Sequence, residues 1–125
     1  MGFFDIPPAA IDFIIDGGGS AITTGEKGHV RMPFAGTILN VALAADKSGN
    51  IVVDIWKSTL AGFPPVVGGS ICNGSKPTLS SEQVMYDEAL SGWTTSFLEG
   101  DFLAFNVDSA ATVTRVTVAL TVTRS

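Results

Sequence analysis

The chain has 125 residues, 46% hydrophobic and 15% charged, with a formal net charge of −5. A domain of that size buries roughly two-thirds of its unfolded surface, so it needs no staple; its one cysteine, Cys72, excludes an intrachain disulfide and a Cys-based zinc site. The seven Lys and Arg are scattered singly, and with no basic stripe to neutralise phosphates, nucleic acid is disfavoured as a partner.

The first ten residues, MGFFDIPPAA, lack a basic n-region and a long apolar stretch, which argues against a secretory signal. No apolar run approaches the roughly 20 residues that span a bilayer, so membrane insertion is not expected. Phe3, Phe4 and Ile6 precede Pro7-Pro8, a stiff extended pair that cannot continue a helix. Such an apolar segment must cover its own domain, a sister subunit or a separate partner. Residues 1–10 are therefore read as an arm and 11–125 as the folded body.

Period-two alternation dominates the body. Residues 11–15, IDFII, form a short strand, and 28–34, GHVRMPF, place Val30, Met32 and Phe34 on one face. Pro33 has no amide hydrogen, so that strand lies at an edge or ends there. Residues 36–45 and 50–59 read as strands joined by a hairpin at Asp46-Lys47-Ser48-Gly49. In the second of these, Ile51, Val53 and Ile55 share one face, and Val52, Asp54 and Trp56 the other.

Between Leu60 and Ser80, three prolines and four glycines mark a long crossover. Residues 81–90, SEQVMYDEAL, fit a short helix less well than a strand or irregular piece, given the Gly and Ser around them. Residues 101–108 point Leu103, Phe105 and Val107 inward. Residues 112–124 put Val116, Val118, Leu120 and Val122 on one face, with Arg115 and three threonines opposite. About eight short strands with one crossover predict an all-β fold, an antiparallel β-sandwich of jelly-roll-like form. A surface so poor in charge relies weakly on self-repulsion, which predicts that other subunits cover part of it.

Few residues carry the marks of chemistry. DGGGSAITTGEKG at 16–28 is rich in glycine and hydroxyls, yet it lacks the phosphate-loop spacing and no helix pattern follows, so it reads as a turn. The sole histidine, His29, stands at a strand start, and no serine has a G-x-S-x-G setting. Cys72 reads as a small apolar filler. The carboxylates are dispersed, and neither DKSGN nor EGD has the oxygen count of a calcium loop. No catalytic residue, metal ligand or cofactor is expected. Trp56, Phe63, Tyr86 and Trp93 are either packing residues or rings on which a sugar could stack.

The runs IDFIIDGGGSAITTGEKG, SGNIVVDIWKST, FPPVV, SKPTLSS, LSGWTTS and DFLAFNVDSAATVTRVTVALTVT, spread in order over about 11–125, together resemble a domain widespread in tailed-phage structural proteins. In that family it forms the globular end of collagen-like or fibre proteins. The resemblance implies a non-enzymatic virion protein assembled in the host cytoplasm, self-associating as a homotrimer. No Gly-X-Y stalk precedes the domain here, which favours a capsid decoration (cement) protein or small fibre or tail component over a fibre tip. Phe3, Phe4, Ile6, Pro7 and Pro8 are then expected to anchor it to the major capsid protein or another virion protein. The alternative is a host-receptor or glycan-binding module using the four aromatic residues named above; a hydrolase on a jelly roll is remote.

Overall fold

A computed structural model of the chain describes residues 6–125. It is all-β and antiparallel, with seven strands: β1 (Ala9–Asp16), β2 (Gly25–Arg31), β3 (Gly36–Ser58), β4 (Thr78–Asp87), β5 (Ser96–Phe97), β6 (Phe102–Ala111) and β7 (Arg115–Val122). They make one sheet in the order β1-β7-β3-β6-β2, to which β4 and β5 add by pairing with β3. Phe3 and Phe4, which the sequence leads one to expect as anchors, lie outside the described residues.

β3 organises everything else. Its first half pairs with β7, from Ile38 opposite Val122 to Ala45 opposite Val116. Its second half pairs with β6, from Asn50 opposite Ala111 to Ser58 opposite Phe102. β4 runs along the other edge of β3 across both halves. The sheet curls into a half-barrel, bringing β1 across from β6 and β2. Phe13 of β1 stacks on Phe105 of β6 at 4.5 Å, nearly parallel. Its ring also lies where a side chain on Gly28 would be, 2.9 Å from an added Cβ.

The core is the set of inward residues that the alternation predicts. Ile11 and Ile15, Val41 and Leu43, Val53 and Ile55, Leu103 and Phe105, and Val116 through Val122 on every second position are all buried. Pro33 stands two residues past the end of β2, and β2 is a sheet edge. Gly17–Gly19 form the turn after β1, with Gly18 and Gly19 at φ +69° and +90° and the Gly18 amide donating to Asp16 Oδ1. Residues 81–90 extend as β4 through Asp87, with Val84 and Tyr86 turned outward.

Two sequence expectations need correction. Asp46–Gly49 make no hairpin: β3 runs through them, and the register with β4 shifts at Gly49 instead. Gly49 is required by close approach, since a Cβ there would come 2.8 Å from Ala111 O and 2.9 Å from Val113 Cγ1. The last strand also begins later than predicted. Residues 112–114 form the β6–β7 turn, with Thr112 at φ +81°. Asp46 holds that turn by accepting from the Thr114 hydroxyl and from the Thr114 and Arg115 amides at 3.1 and 3.0 Å. The aspartate that looked like hairpin chemistry is used across the sheet.

Candidate functional site

The described end of the arm stands off the core. Ile6 is 57% exposed, Pro7 and Pro8 are exposed, and β1 starts directly after them. Its base is held by Arg124, whose Nε and Nη2 donate to Pro7 O at 3.3 and 3.0 Å. Thr123 beside it is bonded to Thr37 through both its amide and its hydroxyl. Gly36 and Thr37 pair in turn with β5. The arm therefore leaves from the end of the fold where β3 starts and β5 lies.

A second surface is the outer face of β4-β3-β7-β1. Strand register sets Tyr86, Ala42, Ala119 and Asp12 in one row, and Val84, Ala44, Thr117 and Ile14 in the next. Small residues fill the centre, and Ile14, Val84 and Tyr86, each about 60% exposed, rise at the two margins. Asp12 is the one charged side chain in these rows. The alternation of Thr and Ala with buried aliphatics hinted at this face, but the larger margin residues emerge only from the register.

Along the second half of β3 the crossover lies against the outward side, which explains a buried charge. Asp54 shares the outward parity of Trp56 yet is only 1% exposed. Its Oδ1 accepts from the Ile55 amide and the Ser70 hydroxyl at 2.9 and 2.7 Å, and its Oδ2 from Trp56 Nε1 at 2.9 Å. Lys76 Nζ lies 3.8 Å from Oδ2 and 2.5 Å from Asp108 Oδ2. That bond to Asp108 holds the Lys76 ammonium above the usual lysine range. Buried charges persist where they are paired and fully hydrogen-bonded, and this one ties residues 70–76 to β3. Cys72 lies beside the cluster, its amide donating to Ser70 Oγ, and burial pushes its thiol up to about 12. A thiol so desolvated is a poor nucleophile.

The four aromatic residues stand on four separate segments, and none stacks on another. Trp56 and Trp93 have spent their indole N–H groups, on Asp54 and on Ser75 O at 2.8 Å, and Trp93 packs against the core. Phe63 is 45% exposed and leans edge-on against Phe102, with His29 on its other contact at 4.9 Å. His29 also approaches Glu26, at 3.3 Å. Tyr86 is 59% exposed and donates its hydroxyl to Glu88, which pushes the phenol above its ordinary value. Among the described residues, no three His, Cys, Asp or Glu side chains gather as a metal site would require.

No family model, curated protein or solved structure matches the chain.

Proposed function

We propose that this chain is a non-enzymatic structural component of a tailed-phage virion, a capsid decoration protein or a small fibre or tail part. It binds the particle through residues 1–10 and self-associates as a homotrimer. The observation that carries the reading is the arm's exit: an apolar, proline-stiffened segment leaves the fold exposed at Ile6–Pro8 while Arg124 fixes its base. An apolar segment presented in this way gains free energy by docking on another surface. The phage assignment rests on the sequence resemblance.

Self-association is supported by the outer face of β4-β3-β7-β1, whose two central rows carry a single charged side chain, Asp12, and are margined by Ile14, Val84 and Tyr86. Closed three-fold symmetry would bring three arms to one particle surface, so weak individual contacts add through effective concentration. Within this reading the half-barrel is a jelly-roll-like sandwich whose two layers share β3.

The receptor or glycan reading retains Phe63 and Tyr86 as its exposed rings. A density map of the intact particle separates the two. Copies seated on the capsid lattice with their first residues buried support the structural role. Copies at a tail tip with Phe63 and Tyr86 facing outward support the receptor role.

A further inference from the structure

The two most exposed large apolar side chains among the described residues, Leu60 at 69% and Leu98 at 67%, stand at one cleft. Lys57, Ser58 and Thr59 line it from the end of β3, with Leu60 following directly; Ser96, Phe97, Leu98 and Asp101 line it from β5 and the turn after it. The accessible lining is mostly apolar and the volume is about 440 Å³. A cavity of roughly 150 Å³ takes a benzene ring, so there is ample room for one phenyl side chain.

The polar groups of the cleft are engaged within the fold. Lys57 Nζ donates to Ser96 O at 2.7 Å, so what it offers a visitor is chiefly its methylene stem. Thr59 Oγ1 accepts from the Gly62 amide at 3.0 Å. Asp101, only 6% exposed, accepts the Leu98 amide on Oδ2 at 2.9 Å. What remains is apolar surface, which gains free energy by being covered.

The strand register brings an apolar segment close to it. Ala9 stands opposite Val122, and the same register carried three residues on sets Ile6 beside Ser125. The Ser125 amide donates to Ala35 O at 2.7 Å, and Gly36 opposite Phe97 sets Ala35 beside Leu98. Ile6 and Leu98 are thus three strand spacings apart, about 14 Å. The five residues ahead of Ile6 extend to about 17 Å, with Phe3 about 10 Å out along the backbone and its ring closing the remainder. We propose that in the free chain the arm folds back over this end of the sheet and seats the ring of Phe3 in the cleft. The arm then has two seats, the cleft and its partner's surface. Its apparent affinity for the partner is lowered by the fraction of chains in which the cleft holds it. The inference concerns the free chain and stands whatever partner the arm meets.

A nitroxide attached to Gly2→Cys tests it in the full chain alone, since Cys72 is buried and stays unlabelled. The expected result is broadening of the amide NMR signals at 57–60, 96–98 and 101, with those at 46–49 and 112–114 sharp. Phe3→Ala removes the broadening, and so does Leu98→Asp, a change at an exposed position that the fold tolerates. Spin-labelled chains unfolded and refolded together with unlabelled 15N chains separate a chain's own arm from a neighbour's, and the 15N signals at the cleft should stay sharp. The proposal is overturned if the cleft signals of the labelled chain stay sharp, if other surfaces broaden in their place, if the broadening persists as strongly in the mixed sample, or if Phe3→Ala and Leu98→Asp leave it unchanged.

Discussion

Three side chains at polar or reactive positions account for much of how the molecule is held, and each makes a distinct prediction. Asp54→Ala leaves the Trp56 indole N–H, the Ser70 hydroxyl and the Ile55 amide without their acceptor, and removes a charge near Lys76. It should destabilise the fold by about 3–5 kcal/mol in denaturant titration, with Asp54→Asn losing less; a loss under about 1 kcal/mol would show that the cluster is not a lock. Asp46 is held at about 2, below its ordinary 3.8, chiefly by the Thr114 hydroxyl. A depressed folded value means stability that is complete above pH 4 and lost as pH falls through about 2. Melting curves should therefore show the gap between the parent and Asp46→Asn closing across that window. Cys72, with its thiol pushed up to about 12, should react with a thiol reagent only at the rate of unfolding. The parity of Asp54 with Trp56 was readable in the sequence. Its burial was not, because Ser70 and Lys76 reach it from a loop whose path no local pattern encodes.

At the scale of elements, the alternating strands, the Gly17–Gly19 turn and the crossover after β3 were legible, and the connection at 46–49 was not. Inward residues such as Val53, Ile55, Phe105 and Val118 follow directly from period two, and they form the core. Asp46-Lys47-Ser48-Gly49 misled because a glycine that makes room and a glycine that turns the chain look alike. Close approach makes Gly36 and Gly49 sensitive. A methyl on Gly36 would fall on Thr123 O and within 2.9 Å of the Phe97 ring, and one on Gly49 would meet Ala111 O. Alanine at either should cost about 1–3 kcal/mol in chemical denaturation, while Gly68→Ala, with open space around it, should change stability by less than about 0.5 kcal/mol.

For the whole molecule, the proposed function joins a β body to an apolar arm. In the proposed assembly the outer face of β4-β3-β7-β1 meets the other copies, and Ala119→Arg at its centre should convert a species of three times 13.0 kDa into a folded single chain by light scattering. Unchanged mass would remove that face from the assembly. The arm carries the central claim. Its direct test is co-sedimentation with purified phage particles lacking this chain, comparing the full chain with one truncated to begin at Pro8. The account predicts that the full chain sediments with the particles and the truncated chain, folded and still self-associated, stays in the supernatant; equal sedimentation of both would contradict it.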